Sequence, residues 1–336
     1  MINTNHIILI ILMSICYSVL NYIYLNYSKK KDFLRTSSEY KLHKEKICNN
    51  GGLVFSLIFI IFFGYQSLTN GFILDWEKEI PRPEIFYIIF IFFFISAIVD
   101  QFYGLHPVYR LVIQITLVFI SLSIIYFPIT DFIPLKLEYL LVLYFWVYII
   151  NTTNFIDGID GMMSVSNLNI YLNIILYSIL TKTFSVAYEV SILLIPLTII
   201  FLIFFNFPKA KMFIGDTGSI PLGFVNGFLI FTLISSGELF LAFAIFSYPF
   251  LDVTITLFIK TFIKKKLPWA RLYDYFFLKP VIHHGRSHLY VLNFNILNSI
   301  MCLLSTYLVY SFNNKLYFLI SISSSIILLL IFGKKR

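Results

Sequence analysis

Long uncharged runs recur along this chain, and they restrict it to folds that a bilayer can hold. Residues 218–236, GSIPLGFVNGFLIFTLISS, carry no charge. A run of about 18 apolar residues is long enough to cross the hydrocarbon core as a helix. Eleven segments read this way: about 7–27, 52–69, 84–100, 109–127, 138–153, 161–180, 188–205, 218–236, 239–260, 293–312 and 316–333. Only the short GELF break at 237–240 separates eleven helices from ten. In lipid every backbone polar group needs an internal partner, so spanning elements are helices or closed barrels. The short alternating strands of a barrel are absent. The expected fold is all-α, a polytopic transmembrane helix bundle, with residues 1–336 forming one membrane domain. The chain is 59% hydrophobic and 12% charged, against about 45–50% and 25% for soluble domains. The first run lacks a basic n-region and a small-residue cleavage site, so it reads as a retained helix. Cys16 and Cys302 sit in apolar runs and Cys48 in a basic connection, which predicts neither disulfides nor a zinc site.

The connections alternate in charge. Segments 28–50, 101–110, 151–160, 206–217, 261–292 and the C-terminal GKKR, with Lys260 at a boundary, hold 20 of the 25 Lys and Arg. The opposite set holds Lys78, Arg82, Lys136, Lys182 and Lys315. Positive residues collect on the cytoplasmic side, so the N-terminus is expected outside and the C-terminus inside. The net charge of +8 is then a topology signal, and nucleic acid is not an expected partner.

This topology gathers the polar motifs on one face: Asp100, NTTNFIDGIDG at 151–161, KAKMFIGDTGS at 209–219, Asp252, and VIHHGRSHLY at 281–290. Each has a plainer reading. Asn and Asp cap helices, Thr217 or Ser219 suits an N-cap, HHGRSH suits a solvated basic loop, and Asp252 suits a structural partner for a lysine. Lys41 and His43 fit the positive-inside excess. Taken together, the set predicts more. Asn151, Asn154 and Asp157 recur every three residues and share a face if helical. Gly158 and Gly161 allow close backbone approach. A Gly-Asp-Thr-Gly turn opening a helix suits a diphosphate, with Asp216 holding a bridging cation. Hard carboxylates select Mg²⁺, and the basic groups match phosphate. A magnesium-dependent site for a phosphorylated substrate is expected at the membrane surface.

These segments resemble the polyprenyl-phosphate N-acetylhexosamine-1-phosphate transferase superfamily over nearly the whole chain. NTTNFIDGIDGM resembles its N-x-x-N-x-x-D-G-x-D-G-L, and NFPKAKMFIGDTGSIPLG its F-x-G-D-x-G-S-x-x-L-G segment. KLHKEKICNNGG resembles its R-x-x-H…G-G segment, and VDQFYGLHPVYRL its D-D-x-x-x-L segment. The resemblance implies ten or eleven spans with the N-terminus outside. It also implies transfer of a sugar 1-phosphate from a UDP-sugar to polyprenyl (undecaprenyl) phosphate, initiating cell-envelope glycan synthesis at the bacterial inner membrane. It implies Asp216 as the principal Mg²⁺ ligand (Mn²⁺ the alternative), with Asn154 and Asp157 beside it. Asp160 is expected to orient these groups or contact the nucleotide, and Asp100 to lie near the lipid phosphate. Lys211, His283, His284, Arg286 and His288 are expected to meet the diphosphate or sugar. Lys41, His43, Asn151, Gly215, Thr217 and Gly218 complete the expected substrate side. A homodimer is one partner state left open, since the sequence does not fix the oligomeric state.

Two departures stand out. The family's aspartate pair reads Asp100–Gln101 here. A phosphate monoester has a second pKa near 6, so it is mostly a dianion at neutral pH and needs no dedicated base. HHGRSHLY has two adjacent histidines where the translocase branch has three. Its RSHLY half resembles the branch that transfers FucNAc or QuiNAc 1-phosphate in O-antigen synthesis. The rivals are an ion-coupled transporter, which predicts carboxylates near the bilayer midplane, and a degenerate scaffold, supported only by Gln101.

Overall fold

The computed structural model describes residues 4–30, 47–68, 83–125, 133–267 and 275–334. All eleven apolar segments read from the sequence are helices. They are α1 (Thr4–Lys30), α2 (Gly51–Leu68), α3 (Pro83–Tyr103), α4 (Pro107–Leu122), α5 (Leu135–Phe155), α6 (Met162–Thr181), α7 (Val186–Ile200), α8 (Asp216–Ser235), α9 (Leu239–Phe258), α11 (His288–Phe312) and α12 (Phe318–Gly333). One short helix, α10 (Lys279–His284), was not expected. It is polar and too short to show an apolar period. Helices α7 and α9 continue into π-helical turns, Phe201–Asn206 and Ile259–Ile263. Nine of the described helices are long and apolar enough to cross a membrane, and Gly51–Gln66 and Pro107–Leu122 are shorter apolar helices. The chain is a polytopic membrane helical bundle.

Helix α8 is the hub. Its spanning window is 94% buried, against 17% for α1 at the periphery, and it packs on α2, α3, α5, α7 and α9. Lipid tails are as apolar as leucine, so helices associate through close packing and buried polar contacts. Both devices appear here. A Cβ on Gly227 would sit 2.1 Å from Trp146 Cδ1, and one on Gly52 would sit 2.2 Å from the Gly218 backbone nitrogen. Trp146 stacks on Phe224 at 5.2 Å and donates its Nε1 hydrogen to the Phe224 carbonyl at 2.9 Å.

Buried side chains also bond across helices. The Asn226 amide donates to Asn167 Oδ1 at 2.9 Å, and the Thr306 hydroxyl to Asn173 Oδ1 at 2.6 Å. The Ser247 and Ser325 hydroxyls lie 2.7 Å apart. These contacts fix which face of each nearly all-apolar helix turns inward.

Gly52→Ala is expected to destabilise the detergent-solubilised protein by about 1–3 kcal/mol or more, because its Cβ would meet rigid backbone. Gly64→Ala meets only the end of the Tyr87 side chain and should perturb stability less. Thermal unfolding of the two variants checks the order.

Candidate active site

The segment before α2 runs along the segment before α8. Phe213 N–H donates to the Cys48 carbonyl at 2.7 Å, Gly51 N–H to Phe213 O at 2.9 Å, and Gly52 N–H to Ile214 O at 2.7 Å. The approach is so close that a Cβ on Gly215 would lie 2.1 Å from the Asn49 carbonyl, and Gly215 takes φ +65°. Both requirements exclude other residues there. The expectation that Thr217 or Ser219 caps α8 is corrected: Gly215 is the cap and Asp216 the first helical residue. Thr217 is buried, with its hydroxyl unpartnered. Ser219 Oγ donates to Asn154 Oδ1 at 2.9 Å. Gly218 is packed against Gly52.

Asp216 meets a partner that the sequence reading missed. Arg110 Nη1 lies 2.8 Å from Asp100 Oδ2 and 3.0 Å from Asp216 Oδ2, so one guanidinium nitrogen bridges two carboxylates. Such charge-assisted bonds are short and strong. The signal was present: Arg110 is a single cation among apolar residues, opposite Asp100 across the α3–α4 turn. Gln114, one turn further along α4, accepts from Asn151 Nδ2 at 2.7 Å. Asp100, Arg110 and Gln114 line a small cleft with Ser96, Ala97, Leu105, Ile113 and Ile220. Beside it, Asp157 Oδ2 accepts the Gly215 N–H at 2.9 Å, and the Asn154 amide reaches the Asp216 carboxylate.

The remaining motif residues form the rim and the supports. Asp160 is buried; its Oδ2 accepts the Ala210 N–H at 3.1 Å, and its Oδ1 lies 3.0 Å from His288 Nδ1. Asn206 ties the same loops together, accepting from Gly161 N–H at 2.6 Å and donating to Met212 O at 2.8 Å. Gly161 makes room for Leu292, where a Cβ would sit at 2.8 Å, whereas a Cβ on Gly158 would make ordinary contact with Phe277 at 3.4 Å. At Gly161 the close neighbour is protein. His283 and Arg286 are exposed and His284 is half-buried. The Arg286 guanidinium lies 5.2 Å from the Tyr290 ring centre. Lys211 is exposed, with Nζ 3.3 Å from Phe204 O. Asp252 bonds to backbone and hydroxyl groups, not to a lysine. Lys41 and His43 lie outside the described residues.

Among the described residues, no three His, Cys, Asp or Glu side chains form a ready metal cage. Asn154 and Asp157 nevertheless lie beside Asp216, and Asp100 reaches it through Arg110. Such a set suits a cation that takes one or two carboxylates and completes its shell with water and substrate oxygens.

Fold and site together define a polytopic membrane protein with a carboxylate-rich polar cluster at one end of its bundle. The family model for glycosyl transferase family 4 matches residues 83–234. The phospho-N-acetylmuramoyl-pentapeptide-transferase of Thermotoga neapolitana is 31% identical over 251 residues, 72% of this chain and 76% of that protein. That of Fervidobacterium nodosum is 29% identical over 249 residues, 72% and 74% of the two chains. That of Leuconostoc citreum is 38% identical over 105 residues, and the match spans 31% of that protein's length. The chain belongs to glycosyl transferase family 4, within the polyprenyl-phosphate hexosamine-1-phosphate transferase superfamily.

Burial pushes the Asp157 carboxyl from its usual 3.8 up to about 7; the Gly215 N–H opposes the rise and the nearby Asp216 charge adds to it. The folded chain therefore holds this proton more tightly than the unfolded chain. Stability of metal-free protein should fall as pH rises from about 4 to about 7 and then level off. Asp157→Asn, which keeps an acceptor for Gly215, should flatten that part of the profile. Thermal unfolding between pH 4 and 8 checks the sign.

Proposed function

We propose that the protein transfers a sugar 1-phosphate from a UDP-sugar to polyprenyl phosphate, at the cytoplasmic face of a bacterial inner membrane. The observation that carries this reading is the Arg110 guanidinium set between Asp100 and Asp216, next to Asp157. A cation site and an anion-binding guanidinium side by side suit a diphosphate. Twenty of the 25 Lys and Arg fall on this side of the bundle in the sequence-read topology, which supports the cytoplasmic assignment.

In the reaction, an oxygen of the lipid phosphate attacks the sugar-bearing phosphorus of the UDP-sugar. The bond from that phosphorus to the bridging oxygen breaks, and UMP leaves. The products are polyprenyl-diphosphate-sugar and UMP. Phosphoryl transfer of this kind is catalysed mainly by positioning and charge neutralisation. Mg²⁺, when bound, supplies positive charge to the phosphate oxygens, with Asp216, Asp157 and Asn154 the residues to hold it. Arg110 binds phosphate oxygens from the α3–α4 side. His283 and Arg286, exposed around the end of α10, reach the diphosphate or sugar. Asp100 orients Arg110. Because the attacking phosphate is mostly ionised at pH 7, Gln101 in place of a second aspartate is compatible with turnover. The sugar is an N-acetylhexosamine or a deoxy-amino sugar. The relatives' names add N-acetylmuramoyl-pentapeptide to the donors to be tried.

Purified protein supplied with undecaprenyl phosphate, Mg²⁺ and a panel of UDP-sugars should release UMP and form a lipid-linked sugar with at least one donor. Inertness toward the whole panel would overturn the reading. Arg110→Ala should lower kcat/KM by about 10²–10³, the scale of losing one preorganised donor, with Arg110→Lys less impaired. Asp216→Asn should abolish turnover yet elute as folded protein.

A further inference from the structure

Residues 275–288 lead into and out of α10 and bear His283, His284, Arg286 and His288. Two buried carboxylates hold this strap at its ends. At its far end His288 Nδ1 lies 3.0 Å from Asp160 Oδ1. Nδ1 is also 3.4 Å from the Asp160 backbone nitrogen. The Asp160 N–H donates to Nδ1, so the backbone and the carboxylate of one aspartate both meet this imidazole.

At its near end the strap is held from α9. Asp252 is 0% exposed. Its Oδ1 accepts the Phe276 N–H at 2.8 Å and the Thr256 hydroxyl at 3.3 Å. Its Oδ2 accepts the Phe277 N–H at 3.0 Å and the Tyr248 hydroxyl at 3.2 Å. Each oxygen thus joins one amide of the strap to one hydroxyl of α9. Tyr275 stacks on Phe155 at 5.8 Å, and the Phe277 ring lies where a Cβ on Gly158 would touch it at 3.4 Å. The pinned end is therefore seated on the loop that carries Asp157. Between the pins, the exposed Gly285 takes φ +61° with nothing close to it.

We propose that Asp252 is a positioning residue: it fixes the strap over the site so that His283 and Arg286 meet an anionic substrate, without touching that substrate itself. A carboxylate accepts four bonds and donates none. Asparagine would turn an NH₂ group toward an N–H or a hydroxyl hydrogen and leave a strap amide unsatisfied. The substrate half of this inference rests on the transfer reading; the pinning does not.

Hydrogen exchange and steady-state kinetics on the full chain in detergent test both halves. In wild-type protein the Phe276 and Phe277 amides should exchange at least about tenfold more slowly than that of exposed Ser287. Asp252→Asn should erase that protection through residues 275–284 while α5 and α8 exchange as before. It should raise KM for the UDP-sugar about tenfold or more with kcat nearly unchanged, the pattern of lost substrate binding. Tyr248→Phe removes a bond to the same carboxylate but no strap amide, and should alter neither readout. Unchanged strap exchange and KM in Asp252→Asn would overturn the proposal. So would wild-type Phe276 and Phe277 amides exchanging as fast as that of Ser287, a result that needs no folded variant. A wild-type protein inert with every UDP-sugar but with protected Phe276 and Phe277 amides would defeat the transfer reading and leave the pinning standing.

Discussion

Where a helix bundle meets the membrane surface, its connections carry backbone N–H groups that no helix ladder satisfies and lipid does not solvate. This protein meets that constraint with carboxylates. Asp157 takes the N–H of Gly215, Asp160 that of Ala210, and Asp252 those of Phe276 and Phe277. Asp157 and Asp160 lie in one connection and Asp252 inside α9, and each amide belongs to a connection other than its aspartate's own. The polar segments at this end are therefore stitched to one another, and the positions of the site groups follow from that stitching.

The same arrangement explains how several acids coexist in a small space. Carboxylates that share a site resist joint ionisation unless a cation lies between them. Arg110 lies between Asp100 and Asp216. Asp157 has no such partner among its bonds; burial raises its pKa. The cluster thus contains two carboxylates bridged by one guanidinium and a third held by a backbone amide. The unequal environments of chemically identical side chains separate their roles.

Rigidity comes from the opposite property, the absence of side chains. The hub helix α8 begins at Asp216, and its contact with α2 depends on Gly52 and Gly218 meeting without Cβ atoms. Further along, Gly227 lies under the Trp146 ring of α5, the helix that carries Asn151 and Asn154. Groups placed on packed helices are held more tightly than groups on loops. Asp216, Asn154 and Arg110 have that support, while His283 and Arg286 depend on the strap.

The sequence by itself determined the eleven apolar helices, because length and hydropathy are local properties and lipid tolerates few alternatives. It also brought the motifs to one end of the bundle, because helix parity fixes which connections share a face. Family membership was legible for a similar reason, since NTTNFIDGIDG and FIGDTGS are ordered strings. The pairings inside the site were not legible. Arg110 finds Asp216 across 106 residues and Asp160 finds His288 across 128; no period or spacing links such partners. Nor were the partners of the two motif aspartates legible: Asp157 accepts the Gly215 N–H while Asp160, three residues on, is turned into the protein toward Ala210 and His288. Only the tertiary structure decided these roles, because a carboxylate's chemistry depends on its neighbours, and the packing of α3, α4, α5 and α8 chooses them.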